Sequence, residues 1–390
     1  MKILMIAPEP IFEPRGTPLS VVGRLKAFSD MGHETDLLTY PLGRDVRFPG
    51  VQLFRTCRIP GLHRIKIGPS LSKIPLDFLL FWSTLHLLMR RKYDAVHSHE
   101  EAGLWGLFLA RLFGIPHIYD MHSSLPQQMA NFRFSENPGL IRFFQALEAW
   151  VLKYSRAVIT ICPDLEGHVR EKAGRGSFLI ENVVDYGMIF GEKDESLSIR
   201  ERHGLHGKKV VLYAGTFEPY QGIDLIIDSS RLVIQKEPRV RFMLVGGHPA
   251  QVKEQADRVR TLGLLPYFVF TGQVQPQEVG SYIRVCEVLL SPRMSGTNTP
   301  LKIYSYLKSG KPVVATRLWT HTQVLDDRIA VLTEPDADSF ARGILSLLEN
   351  PEKRRRIADE AGRTASLKYG YSAYCKKLSG VLAAATGRAC

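Results

Sequence analysis

Apolar residues fall along this chain in short solid runs, such as ILMIA and VVLYA, separated by longer segments in which they recur every three or four positions. Solid runs of this length read as strands buried on both faces, and the segments between them as amphipathic helices. In the first half the pattern predicts strands at Lys2 to Ala7, Glu34 to Tyr40, Val51 to Arg55, Asp94 to Ser98, His117 to Met121, Ala157 to Ile161 and Phe178 to Ile180. Helices are predicted from Pro18 to Met31, around Phe78, from Ala102 to Phe113, from Gly139 to Tyr154 and from Pro163 to Ala173. Strand and helix alternating in one direction imply a parallel, doubly wound sheet.

The rhythm breaks between Glu181 and Gly207, where the chain is polar and charged, and then restarts. Strands are predicted at Lys209 to Ala214, Val240 to Val245, Phe268 to Thr271, Val288 to Ser291, Pro312 to Ala315 and Ala330 to Leu332. The expected fold class is therefore α/β, two doubly wound Rossmann-like domains facing each other across a cleft. The expected bounds are residues 1–185 for the first domain, 186–207 for a linker and 208–365 for the second domain. A helical tail over 366–390 is expected to cross back to the first.

Length agrees with that division, since 390 residues exceed one ordinary core. A hydrophobic fraction of 45% with 23% charged residues belongs to a globular chain. The formal net charge of +12 favours acidic partners. No basic run with interleaved aromatics and no zinc-finger spacing points to nucleic acid, which is not expected as a partner. The cysteines Cys57, Cys162, Cys286, Cys375 and Cys390 are odd in number and form no C-x-x-C pair. That usage fits a reducing cytoplasm better than a disulfide framework or a zinc site. The opening MKILMIAPEP meets proline and glutamate too soon for a signal peptide and reads as a first strand.

The run from Ile74 to Met89 is strongly apolar yet shorter than a spanning helix and interrupted by Asp77 and His86. Arg55, Arg58, Arg64, Lys66, Lys73, Arg90, Arg91 and Lys92 surround it. The pattern fits two arrangements equally: a core helix with a solvated basic rim, or a helix lying on an anionic leaflet, which would make the protein peripheral at the inner face of a membrane.

Small residues end three strands of the second half: Gly215-Thr216 with Gly222 beyond, Gly246-Gly247, and Gly296 to Thr299. In SPRMSGTNTPLKIYSYLKSGKPVVAT, from Ser291 to Thr316, Thr299 is expected to cap a helix, Pro300 to be its first residue and Gly310 its stop. Such a loop and helix start suits an anion, most often phosphate. Neither a G-x-G-x-x-G fingerprint nor a Walker loop is present.

Taken in order, KILMIAPEP with Gly16 beyond it, DAVHSHE, HIYDMHSS, ITICPDLEGHV, IENVVD, YAGTFEPYQGIDLII, FMLVGG and GTNTPLKIYSYLKSGKPVVAT resemble the group 1 retaining glycosyltransferases of the GT-B fold, nearly end to end. The resemblance implies a hexosyltransferase-type enzyme, as in polysaccharide biosynthesis. A nucleotide-sugar donor would be held by the second domain and a glycan or lipid-linked acceptor by the first. Gly16 and Thr17 would lie against the donor phosphates, and His122 would position the donor sugar. His97 and His99 also cluster at a strand end. Without a carboxylate-rich cage, and with no metal needed in the family, neither metal nor cofactor is expected.

The matches come with departures. An arginine and a lysine that neutralise the diphosphate in the family are replaced by Thr216 and Gln221, and two glutamates by Thr297 and Ser305. A serine hydroxyl at 305 gives the ribose a neutral hydrogen bond in place of a charge-assisted one. Arg293 and Lys302 are the expected substitute cations. A lysine in a helix's first turn opposes the helix dipole unless an anion sits nearby. The remaining expected donor ligands are Gly215, Gly247, Val274, Asn298, Thr299, Pro300 and Leu301. No protein general base is expected, because in the family the departing phosphate itself takes the acceptor proton. The departures leave a non-catalytic nucleotide-sugar or partner-binding protein as the alternative, and a nucleotide-sugar epimerase as a weaker one.

Overall fold

The computed structural model describes the chain apart from residues 13–15, 46, 63–64, 66–69, 127–136, 184–186, 188, 190, 192–193 and 389–390. Its internal contacts separate two units, Met1–Val184 with Tyr371–Cys390, and Asp185–Gly370. Arg64 and Lys66 of the basic flank lie outside the described residues.

In the first unit β1 (Lys2–Ala7), β2 (Glu34–Thr39), β3 (Val51–Arg55), β4 (Ala95–His99), β5 (His117–Met121), β6 (Ala157–Thr160) and β7 (Phe178–Leu179) form one sheet in the order β3-β2-β1-β4-β5-β6-β7. Every pairing is parallel, with Met5 opposite Leu37 on one side and His97 on the other. Strands buried on both faces need no alternation, and from Ile3 to Ala7 no residue is exposed. The helices are α1 (Gly16–Asp30), α2 (Ile74–Arg90), α3 (Ala102–Leu112), α4 (Pro138–Tyr154) and α5 (Pro163–Ala173). Leu76, Leu80, Thr84, Leu87 and Leu88 form the buried stripe of α2. No helix among the described residues is long and apolar enough to cross a membrane.

The second unit begins with α6 (Ser196–Arg202), which lies within the stretch expected to be linker. It buries Ile199, and Arg200 donates to the Val285 carbonyl at 2.7 Å, so this segment is part of the unit's packing. The sheet contains β8 (Lys209–Ala214), β9 (Val240–Val245), β10 (Phe268–Gly272), β11 (Val288–Ser291), β12 (Val313–Thr316) and β13 (Val331–Thr333), in the order β10-β9-β8-β11-β12-β13 and parallel throughout. Its helices are α7 (Ile223–Lys236), α8 (Pro249–Thr261), α9 (Val279–Arg284), α10 (Lys302–Lys308), α11 (Trp319–Thr322), α12 (Ala337–Leu348) and α13 (Pro351–Lys368).

Both sheets are doubly wound, as the alternation predicts, and each reverses strand order beside its first strand: β1 against β4, and β8 against β11. Loops leaving the carboxyl ends of those neighbours diverge and open a crevice where ligands collect. The last helix, α14 (Tyr371–Thr386), packs on β5 and β6 of the first unit. Tyr371 donates to Asp30 at 2.6 Å, and Lys377 pairs with Glu181 at 2.5 Å.

Candidate active site

At the reversal point of the second sheet, the loop from Arg293 to Asn298 leaves β11 and is tied down by its own carbonyls. Those of Ser295 and Asn298 accept from Arg293 Nε and Nη1 at 2.9 and 3.0 Å. Thr320 donates to Asn298 at 2.6 Å, Gln323 to Thr297 at 2.6 Å, and Thr316 to the Arg293 carbonyl at 2.5 Å. Beneath them His321 donates from Nδ1 to the Thr316 carbonyl at 2.8 Å, which leaves Nε2 to accept from the Ser291 hydroxyl at 2.8 Å. Burial pushes this ring down to about 4, so it is neutral and fixed in one tautomer.

The helix that follows differs from the sequence expectation. It begins at Lys302, with Leu301 in its capping position and no side-chain cap. Thr299 is therefore not the N-cap, and Pro300 precedes the helix. Ile303 N–H instead donates back to the Pro300 carbonyl at 3.0 Å, which closes a tight first turn. Buried Thr299 keeps a hydroxyl without a partner among the described residues.

Lys302 reaches back from α10 to the end of β8. Its ammonium lies 3.7 Å from the centre of the Tyr213 ring and 3.4 Å from Gln221 Oε1. The Tyr213 hydroxyl in turn donates to the Thr216 carbonyl at 2.6 Å. Gly215 makes room for this approach: a methyl there would stand 2.7 Å from Lys302 Nζ. Among the described residues no carboxylate pairs with Lys302. A cation–π contact contributes roughly 0.5–2 kcal/mol, less than the several kcal/mol that full desolvation of an ammonium costs. The side chain is only half-buried, so water softens that penalty. Even so, burial first and the positive Arg293 second hold its pKa well below the ordinary lysine value. Arg293, stacked on Tyr220 at 5.1 Å, is likewise lowered by burial.

At the reversal point of the first sheet a buried ionic cluster joins four elements. Arg24 of α1 donates through Nε to Asp120 at 2.9 Å, through Nη1 to the Tyr374 hydroxyl of α14 at 2.6 Å and through Nη2 to the Ile180 carbonyl at 3.1 Å. The guanidinium holds the Asp120 carboxyl well below its usual range against the opposing effect of burial. His97 Nε2 donates to the same carboxylate at 3.1 Å. His99 and His122 share one proton between Nδ1 and Nε2 at 3.0 Å, and His122 Nε2 stands 3.3 Å from Asp120. The rings of His97, His99 and His122 stack in sequence at 4.7 and 5.2 Å. Burial pushes His122 down to about 4 despite Asp120, so it too is neutral near pH 7.

Beside this stack Glu100 occupies the left-handed region, with φ of 48°, an uncommon place for glutamate. It accepts from the Thr17 hydroxyl at 3.2 Å and from Ser123 at 2.8 Å. Desolvation first, and the neighbouring Glu101 second, push its carboxyl up to about 7. Gly16, exposed, opens α1 next to Thr17.

Residues 19–177 match the family model of a glycosyl transferase 4-like domain, and residues 208–350 that of glycosyl transferases group 1. The chain belongs to the group 1 glycosyltransferases. It is 29% identical over 400 residues to phosphatidyl-myo-inositol mannosyltransferase of Mycobacterium tuberculosis, which covers 99% of this chain and 98% of that one. Identity to the alpha-D-kanosaminyltransferase of Streptomyces kanamyceticus is 22%, over 75% and 78% of the two chains. Among solved structures, Anabaena HepE in complex with UDP superposes with a TM-score of 0.76 at 19% identity over 98% of this chain and 100% of that one. Sucrose-phosphate synthase of Thermosynechococcus elongatus gives 0.77 at 18% over 97% of both. At such identities the likeness carries the fold, which is GT-B.

In this glycosyltransferase the expected residues Gly215, Thr216, Gln221, Arg293, Thr297, Asn298 and Lys302 meet around the ends of β8 and β11. Gly247 packs under Phe217, with a methyl at 247 falling 2.6 Å from that ring. Val274, half-buried after β10, and Ser305, one turn beyond Lys302, make no bond to this network among the described residues. Arg293 spends two N–H groups on its own loop and braces it, whereas Lys302 presents an ammonium that no carboxylate among the described residues neutralises.

Sequence reasoning missed Tyr213, Thr316, Thr320, His321 and Gln323 around that network. In the first unit it missed Arg24, Glu100, Asp120 and Tyr374. Glu100 and Asp120 stand inside DAVHSHE and HIYDMHSS, but their partners lie on other elements, 83 and 96 positions away.

Proposed function

We propose that this glycosyltransferase moves a hexosyl group from a nucleoside-diphosphate sugar to a glycan or lipid-linked acceptor with retention of anomeric configuration. The observation that carries the reading is Lys302, an ammonium stacked on Tyr213 with no neutralising carboxylate among the described residues. A donor diphosphate would supply the missing charge and would restore the lysine to its cationic form. The HepE structures with UDP and with UDP-glucose support a nucleotide sugar as the donor. The phosphatidyl-myo-inositol mannosyltransferase relative supports a lipid-linked acceptor.

The bond from the sugar's anomeric carbon to the diphosphate breaks as the acceptor oxygen attaches to the same face, and the acceptor proton passes to the departing phosphate. Charge grows on that phosphate in the transition state, so Lys302, the Thr299 hydroxyl and the braced loop act as a preorganised anion site. His122 is neutral and positions the sugar without taking a proton.

No metal or other cofactor is assigned. Ligand atoms of His97, His99 and Asp120 lie within 4.8 Å of one another, but Arg24 already occupies the Asp120 carboxylate and would repel a cation. We place the reaction in the cytoplasm, since the free thiols Cys57, Cys162, Cys286 and Cys375 suit a reducing compartment.

Incubation with UDP-, GDP- and ADP-hexoses and a range of acceptors, followed by proton NMR of the product, tests the proposal. Release of nucleotide with an axial-to-axial or equatorial-to-equatorial product is expected. The replacements Thr216, Gln221, Thr297 and Ser305 favour the second reading, a non-catalytic nucleotide-sugar binder, and tight binding without turnover would establish it. Altered sugar released without any acceptor would point to an epimerase instead.

A further inference from the structure

Tyr119 of β5 is only 6% exposed, yet its hydroxyl has no hydrogen-bond partner among the described residues. The ring lies against the start of α3, where a methyl on Gly103 would stand 2.5 Å from it. It lines a cavity of about 30 Å³ between α3 and α4. Leu104, Leu125 and Phe144 give the cavity apolar walls, and Glu100, Glu101 and Glu148 give it carboxylates. Among the described residues no lysine, arginine or histidine lines it. The space is close to the share of one molecule in liquid water, so it admits a small head group and excludes a sugar ring.

Two of the three carboxylates are satisfied from outside the cavity. Lys73 pairs with Glu101 at 2.5 Å. Glu148 lies 2.7 Å from His168 Nε2 and accepts from the Ser124 hydroxyl at 3.1 Å and the Leu125 N–H at 3.2 Å. Glu100 receives the hydroxyls of Thr17 and Ser123, and no cation pairs with it among the described residues. Its raised pKa has the sign of a carboxylate that lacks a counter-charge. Ser123 directly follows His122, so the cavity adjoins the residue that positions the donor sugar.

These groups discriminate among occupants. An anion would face three carboxylates. An apolar group would leave the Tyr119 hydroxyl buried and unpaired, and a neutral hydroxyl would leave the Glu100 charge in place. The three glutamates do not form an ion cage, because among the described residues only His97, His99 and Asp120 bring three ligand atoms within 4.8 Å of one another. A primary ammonium has the size, the charge and three N–H donors for Glu100 and the Tyr119 oxygen.

We propose that this cavity receives the primary ammonium of an amino sugar, which is the acceptor in the transfer. That the amino sugar is the acceptor rests on the transferase reading, whereas the cavity's preference for an ammonium rests on its own residues. A protonated amine has no lone pair. By holding it in that form, Glu100 leaves a hydroxyl of the same sugar as the attacking group.

Ligand-observed NMR titration of the full chain at pH 7, without donor, tests the cavity apart from sugar transfer. The probes are glucosamine, glucose, N-acetylglucosamine and ethanolamine. Glucosamine is expected to bind roughly 10-fold more tightly than either neutral sugar, the difference between a charge-assisted and a neutral hydrogen bond. Ethanolamine should bind more weakly than glucosamine, because it lacks the ring. Glu100→Gln should weaken glucosamine binding roughly 10-fold and leave glucose binding unchanged, and Tyr119→Phe should weaken glucosamine roughly 5-fold. Tyr119→Phe should not lower the melting temperature, since the hydroxyl it removes has no partner in the free protein. Equal affinity for the three sugars, ethanolamine binding as tightly as glucosamine, or equal losses for glucose and glucosamine in Glu100→Gln would each overturn the proposal. So would a clear fall in the melting temperature of Tyr119→Phe. Nucleotide release with a neutral acceptor, alongside equal sugar affinities, would sink the ammonium site and leave the transferase reading standing.

Discussion

The Lys302 ammonium lies over the face of the Tyr213 ring, 3.7 Å from its centre, in a space that Gly215 leaves open. The folded protein holds this lysine's pKa down, so the unfolded chain binds the proton more tightly. Its destabilising effect is full below the folded pKa and disappears as pH rises to the ordinary lysine value. Lys302→Met is therefore expected to raise the melting temperature at pH 7 in the absence of ligand, by an amount that shrinks toward pH 10. A fall in melting temperature at pH 7 would show that the ammonium already has its counter-charge.

Asp120 is the counterpart in the first unit, a buried carboxylate that Arg24 keeps ionised. Asp120→Asn leaves the guanidinium buried without its partner and is expected to cost ~3–5 kcal/mol in urea unfolding. Because the folded pKa of Asp120 is depressed, the pair's contribution is present above the ordinary aspartate value and is lost as pH falls below it. The deficit of the variant should therefore narrow in acid. Removing both charges with Arg24→Met should recover part of the loss, and no recovery would contradict a pairwise origin.

Glu100 carries the opposite sign. Its carboxyl is raised to about 7, so ionising it opposes folding. The penalty is absent below the ordinary glutamate value of 4.5, grows between 4.5 and about 7 and is complete above that. Glu100→Gln keeps an oxygen acceptor for one of Thr17 and Ser123 and lets the other hydroxyl accept from its amide, and should raise the melting temperature at pH 8 while leaving it unchanged at pH 4.5. An equal gain at both values would mean that strain at its positive φ, rather than charge, is being relieved.

Ser305 is the position at which the resemblance to the group 1 enzymes implies a ribose-binding glutamate. Ser305→Glu is expected to tighten UDP binding roughly 10-fold, the difference between a neutral and a charge-assisted hydrogen bond to the ribose. Calorimetry that finds weaker or unchanged affinity would place the ribose elsewhere.

The fold was legible because strands buried on both faces leave solid apolar runs such as ILMIA, and the reversal points follow from their order. The places of His122 after β5 and of Lys302 at the start of α10 were legible through the motifs around them. Arg24 was not: its partners Asp120 and Tyr374 lie 96 and 350 positions along the chain, and only the sheet order and the return of α14 bring them together. The Thr299-Pro300 cap misled for a related reason. Local preference favours a helix start there, but Arg293, Thr320 and Gln323 claim the loop's carbonyls and delay the helix to Lys302.

The central claim is that Lys302 receives the donor diphosphate, and isothermal titration of wild type and Lys302→Met with UDP, GDP and ADP tests it most directly. Wild type is expected to bind one of the three, and the variant to bind it roughly 10- to 100-fold more weakly while remaining folded, the range of one or two charge-assisted hydrogen bonds. Equal affinity in the two proteins would contradict the account.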